Sequence, residues 1–176
     1  MVPSPVHREI NREENCIMIL GMTPLTFIHV VLSLIGILAG FIVMLGMFDA
    51  RRLDGWTAIF LSTTVLTSVT GYFFPFVKLL PSHIIGAISL VALLVAILAR
   101  YTFHLAGAWR KTYVASAMIS LYLNVFVLIV QLYEKVPPLH AVAPTLNSPV
   151  FLATQVVVMV LFIVFTVIAA KKFRSE

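Results

Sequence analysis

The sequence predicts an all-α, polytopic transmembrane helical bundle that crosses a bilayer about five times, with its N-terminus outside and its C-terminus in the cytoplasm. Three observations carry that prediction. Of the 176 residues, 61% are hydrophobic and 11% charged, against roughly 45–50% and ~25% in soluble domains. The apolar residues fall into several runs of ~20 almost uncharged positions, the length a helix needs to span hydrocarbon. The lysines and arginines sit in tails, in loops or near helix ends. A soluble fold has too little interior to hide so much apolar surface, whereas a spanning helix satisfies its own backbone hydrogen bonds in lipid. One membrane domain, 23–170, is expected between a short polar tail, 1–22, and a basic tail, 171–176.

Residues 1–15 are polar and include Glu9, Glu13 and Glu14, where a cleavable signal would have a basic start and an apolar core; the first span is expected to serve as the targeting signal. Thr23-Pro24 opens that span as an N-cap followed by proline at the first helical position. It runs over 23–48 and ends at the polar stretch Asp49-Ala-Arg-Arg-Leu-Asp-Gly55. The second span reads as 56–76, with Pro75 in its last turn and Lys78 and Pro81 marking a short connection. Ser82 is the expected N-cap of the third span, 82–106, which stops at Gly107, a residue able to take the left-handed C-cap conformation. The fourth runs over 111–134. The segment from Lys135 to Ser148 holds Pro137, Pro138, Pro144 and His140 and is expected to be an exposed loop, a partial lid and not a sixth span. The fifth span, 149–170, ends at Lys171, Lys172 and Arg174.

With five spans the loops alternate sides. One side holds Arg8, Arg12, Lys78 and Lys135; the other holds Arg51, Arg52, Arg100, Arg110, Lys111, Lys171, Lys172 and Arg174. The positive-inside rule assigns the richer side to the cytoplasm. The formal charge of +5 then records orientation and contact with anionic head groups, with no nucleic-acid partner expected. Trp56, Tyr101, Trp109 and Tyr113 would form the inner aromatic belt, and Tyr72 and Tyr133 part of the outer one. The single cysteine, Cys16, allows no internal disulfide and is expected to be an inert thiol.

Polar residues in the spans are the informative exceptions. Tyr113, Ser116, Ser120, Asn124, Gln131 and Glu134 recur at helical spacing and share a stripe. Such a stripe is either interhelical glue or the wall of a ligand cavity. His29, Ser33, Gly36 and Gly40 align likewise and include a GxxxG, which lets backbones approach closely. At 1.5 Å per residue His29 lies ~9 Å below the outer end of its helix, near the expected depth of Thr70 and Gln155. A histidine inside a span is a functional-site hypothesis by default; its alternative is a structural bond to the hydroxyl-rich second span, which holds Thr67 and Thr70. His83, at the start of the third span, and His140, in the proline-rich loop, would stand at the same outward-facing mouth. The candidate ligand-binding residues are therefore His29, Thr67, Thr70, His83, Asn124, Gln131, His140 and Gln155.

At Thr70-Gly-Tyr-Phe-Phe-Pro-Phe76, Pro81-Ser-His-Ile-Ile-Gly86, Gly107-Ala-Trp-Arg110 and Tyr122-Leu-Asn-Val-Phe-Val-Leu-Ile-Val-Gln131, the chain resembles a group of small uncharacterised bacterial multi-pass inner-membrane proteins with no assigned activity. The likeness extends from the first span to the C-terminal tail. It implies a bacterial inner-membrane location and carries over no catalytic residue. The Thr-Gly segment before a helix that opens with histidine also looks like other small bacterial membrane families suspected of redox roles.

The leading functional expectation is a non-enzymatic accessory or small-ligand-binding membrane component with an outward-facing polar cavity, partnered by the bilayer and by another membrane protein or itself. No P-loop, HExxH or GxSxG is present, and no carboxylate lies in the predicted hydrophobic core. A redox protein holding haem or a quinone through His29 and His83 is the alternative, although the two histidines differ by ~8 Å in expected depth. A third class is an oligomeric transporter of a neutral solute, for which no membrane-embedded charge offers ion coupling.

Overall fold

The computed structural model describes residues 23–73 and 81–173, with the backbone alone for 81–83. Among the described residues the chain is helical and contains no strand. It forms α1 (Pro24–Phe48), α2 (Asp54–Gly71), α3 (Pro81–Ile97) with a π-helical turn (Leu98–Thr102) at its end, α4 (Ala108–Lys135), the short α5 (Pro137–Val142) and α6 (Pro149–Lys172). Among the described residues, four helical stretches are long and apolar enough to cross a membrane: Pro24–Phe48, Ile84–Thr102, Ala108–Lys135 and Pro149–Lys172. The shorter, threonine-rich α2 is not among them.

Side-chain pairings show how the helices run. His29 meets Thr70 and Gly40 meets Phe60, so α1 and α2 are antiparallel. Ser68 bonds Ser89, Ser33 bonds Asn124 and Tyr133 bonds Thr154, placing α3 against α2, α4 against α1 and α6 against α4. Phe41 and Phe48 of α1 pack on Phe162 and Phe165 of α6, which run parallel to them. One end of the bundle thus gathers the start of α1, the end of α2, the end of α4 and the start of α6. We call it the histidine end and the other the arginine end.

The two halves differ in chemistry. The apolar core occupies the arginine half, where Met47, Phe60, Leu93, Tyr113, Val114 and Leu121 are fully buried. Gly40 lets α1 close on it, because a Cβ there would stand 2.5 Å from Leu121 Cδ1. Outward-facing Leu38, Val91, Val157 and Ile163 are exposed, as suits lipid contact.

Several local expectations are corrected. Thr23 caps α1 as anticipated, its hydroxyl accepting from the Thr26 amide, with Pro24 next. The second helix begins at Asp54 and ends at Gly71, where the Tyr72 and Phe73 amides bond the Val69 and Thr70 carbonyls three residues back; Pro75 and Phe76 lie outside the described residues. Ser82 does not cap the third helix, which already includes Pro81. That helix stops being α-helical at Ile97, and after the π turn the chain reverses through His104 and Leu105, both at positive φ. The extra residue in the turn bonds the Phe103 amide to the Leu98 carbonyl and brings Arg100 inward. Gly107, with φ 53°, precedes α4 instead of ending α3. The loop after α4 carries α5, since Pro137 and Pro138 stand at its first two positions, where proline starts a helix.

Candidate functional site

The histidine half of the α1, α2 and α4 interface is a polar seam. At its outer level His29 Nδ1 lies 2.9 Å from Thr70 Oγ1. The Thr70 hydroxyl donates back to the Leu66 and Thr67 carbonyls at 2.8 and 3.1 Å, so it accepts from the imidazole Nδ1–H. The ring packs beside Gly71, where a Cβ would make an ordinary 3.6 Å contact with His29 Cε1. One turn further in, Ser33 donates to Asn124 Oδ1 at 3.3 Å, which turns the amide nitrogen toward α1 and α2.

Below that, Gly36 makes the close approach. A Cβ at Gly36 would stand 3.0 Å from Thr64 Oγ1, 3.1 Å from Thr63 Oγ1 and 3.4 Å from Asn124 Nδ2. Three polar groups thus crowd the place a Cβ would take at Gly36. Thr67 lies between Thr63 and Phe60 around the helix and faces the same seam. Its hydroxyl, the Thr64 hydroxyl and Asn124 Nδ2 are buried and have no hydrogen-bond partner. Thr67 is 6% exposed, Thr64 1% and Asn124 8%. The contrast with their neighbours is local: Ser62, Thr63 and Thr70 bond the carbonyl four residues back, while Thr64 and Thr67 do not.

The predicted residues distribute unevenly around this seam. His29, Thr67, Thr70 and Asn124 line it. Gln155 does not join them; it is buried between α4 and α6, donating to the Phe126 carbonyl at 3.3 Å with its own oxygen unpartnered. Gln131 is half-buried two turns toward the end of α4. His140 is exposed on α5, with Nδ1 3.3 Å from the Tyr133 carbonyl. The His83 side chain lies outside the described residues. Helical spacing could not separate these groups, because spacing fixes a residue's angle on its own helix and not which helix packs there. The α4 stripe also divides. The Ser116 and Ser120 hydroxyls bond carbonyls of their own helix, so of these residues Asn124 makes the bond to α1.

Sequence reasoning missed a second buried polar feature, Arg100. Its guanidinium pairs with Asp54 at the start of α2, and its side chain is 6% exposed against 82% for the aspartate. It also stands 5.3 Å from the Tyr113 ring centroid and 5.9 Å from that of Tyr101. Tyr113, expected in an interfacial belt, is instead buried beneath this pair, while Trp56, Tyr101 and Trp109 are exposed. The available signal was the presence of both Asp54 and Arg100 at the same expected membrane depth.

No protein-family model, curated protein or solved structure matches the chain. Its functional reading therefore rests on its own residues. In the seam these offer a donor amide, two hydroxyls able to donate or accept, and a histidine fixed by Thr70. Among the residues named there none carries a carboxylate, an ammonium or a thiol.

Proposed function

We propose that this chain is a five-pass protein of a bacterial inner membrane, N-terminus outside, that binds a small uncharged molecule bearing carbonyl or hydroxyl oxygens in the α1, α2 and α4 seam, and acts as a binding or accessory component and not as a catalyst. The observation that carries the ligand is the convergence of buried, unpartnered Thr64 Oγ1, Thr67 Oγ1 and Asn124 Nδ2 on one seam. Leaving such groups without a partner costs about 1–3 kcal/mol each, which a bound oxygen would recover.

Five crossings are supported by a connectivity argument. Helix α2 runs antiparallel between α1 and α3, so a chain whose α1 and α3 both span must return through α2. Its 18 residues cover about 27 Å at 1.5 Å each, near the ~30 Å hydrocarbon thickness. Its low hydropathy is tolerable because its threonines bond their own backbone or face protein. The orientation and the bacterial inner membrane rest on the distribution of basic residues and on the resemblance drawn from the sequence.

The test is chemical. Protein purified from its native membrane in mild detergent is extracted with organic solvent, and the extract is compared with those of Gly36→Ala and Asn124→Leu. A compound bearing carbonyl or hydroxyl groups, present in the wild type and absent from both variants, is the expected result. A quinone in that extract would make the same seam a redox site. Equal extracts from all three proteins, or a Soret band that shifts on reduction, would overturn the proposal. A C-terminal reporter active on the outer side of the membrane would overturn the topology.

A further inference from the structure

The arginine end carries a second polar feature, independent of the seam. Where the loop between α1 and α2 meets the π turn and the start of α4, a slot is lined by Arg51, Arg52, Thr57, Arg100 and Tyr113, and the rest of its wall is apolar. Three guanidinium groups thus share one slot. Asp54, which pairs with Arg100, does not line it, and neither does Asp49. Arg51 and Arg52 have no acidic partner among the described residues.

The buried members of the set are only partly used. The Arg100 side chain is 6% exposed, and its hydrogen bond runs from Nη2 to Asp54, one of the five donors a guanidinium offers. Tyr113 is 1% exposed. Thr57 and Arg100 stand near its hydroxyl, yet neither closes a hydrogen bond to it. Donors held out of water need an acceptor. Helix α2 begins beside the slot with Leu53 at its N-cap and no side-chain cap, so its first turn adds the partial positive charge of a helix N-terminus. Three forked cations and a hydroxyl on one slot call for an anion with several oxygens, and phosphate matches the paired donors of arginine. The setting is that of a membrane surface. Arg100 stands in the last turn of a helical stretch long enough to span, and Trp56 and Tyr101 are exposed close by, side chains that favour the head-group level.

We propose that this slot binds a phosphate group. As it stands the slot admits no free water, so the phosphate is taken at its mouth, where the exposed Arg51 and Arg52 close on it by side-chain rotation. Arg100 and the Tyr113 hydroxyl complete the set from the inner side. A phospholipid head group and a soluble phosphate share that chemistry, and the test separates them. Full-length protein in mild detergent is followed by thermal unfolding with three additions: phosphatidylglycerol, sodium phosphate against sodium chloride of equal ionic strength, and oleate as a carboxylate amphiphile. A phosphate source is expected to raise Tm by mass action. A rise with the lipid alone assigns the site to a head group, and a rise with inorganic phosphate assigns it to a soluble phosphate compound. Arg51→Gln/Arg52→Gln should weaken the response by ~30-fold, the worth of two arginines at a charged membrane surface. Tyr113→Phe keeps the ring and should weaken it by ~10-fold, the worth of a hydrogen bond to a charged group. Lys135→Gln at the histidine end and Asn124→Leu in the seam should leave the response intact, which keeps this result separate from that of the seam. No rise with either phosphate source, an equal rise with oleate, or an unchanged response in the double arginine variant or in Tyr113→Phe would each overturn the proposal.

Discussion

Replacing Thr64 by valine tests the seam through the sign of a stability change. Thr64 is 1% exposed and its hydroxyl has no partner. Valine keeps the branched shape and leaves no cavity, so packing against α1 is preserved. Burying an unbonded hydroxyl costs about 1–3 kcal/mol. The lower end applies, because a helix unfolded within the membrane also finds partners for its hydroxyls. Ligand-free Thr64→Val protein should therefore be more stable than wild type by about 1 kcal/mol, or 2–4 °C in Tm for a chain of this size. The same substitution removes an atom the ligand uses, so in protein carrying its extracted ligand the gain should vanish or reverse. The assay is thermal unfolding in detergent, before and after solvent-exchange removal of bound small molecules. A loss of 1 kcal/mol or more in the ligand-free protein would mean that the Thr64 hydroxyl is already bonded within the chain, and the argument for a ligand would lose its carrying observation.

Other substitutions probe the packing around the site. Gly40→Ala should destabilise by about 1–3 kcal/mol, since its Cβ would meet Leu121 and Phe60 at 2.5 and 3.0 Å, whereas Gly55→Ala, with nothing within 4 Å, should be neutral or stabilising; equal effects on Tm would refute the close packing of α1. Asp54→Ala leaves the buried Arg100 guanidinium without its counter-charge and should cost about 3 kcal/mol, while Arg100→Met should cost less because the exposed aspartate hydrates; chemical denaturation that reverses this order would refute the buried-charge assignment. Ser120→Ala should change stability by under about 0.5 kcal/mol, because its hydroxyl bonds only the Ser116 carbonyl of its own helix; a larger loss in the same assay would restore it as interhelical glue.

Much of the architecture was legible in the order of residues. Runs of apolar residues and the Thr23-Pro24 cap located α1, and uncharged length located α4 and α6, because hydrocarbon selects helices by length and composition alone. His29, Thr70, Thr67 and Asn124 were recognisable as too polar for lipid. The ends of α2 and α3 were not legible. Apolar Phe73 continues the hydropathy of α2 past Gly71, and nothing in Leu98–Thr102 announces a π turn.

By itself the sequence determined that this chain is helical, that several of its helices suit a membrane, and which of their residues cannot face lipid. Those properties are set residue by residue by transfer free energy. Only the tertiary structure decided that Asn124 reaches α1 while Gln155 bonds the Phe126 carbonyl of α4, that Arg100 is drawn inward to Asp54, and that His140 and Glu134 line one cavity. These outcomes depend on which helix packs against which and at what rotation. Hydrophobic patterning leaves that choice open inside a bilayer, where lipid and leucine are equally apolar and close contacts at residues such as Gly36 and Gly40 fix the arrangement.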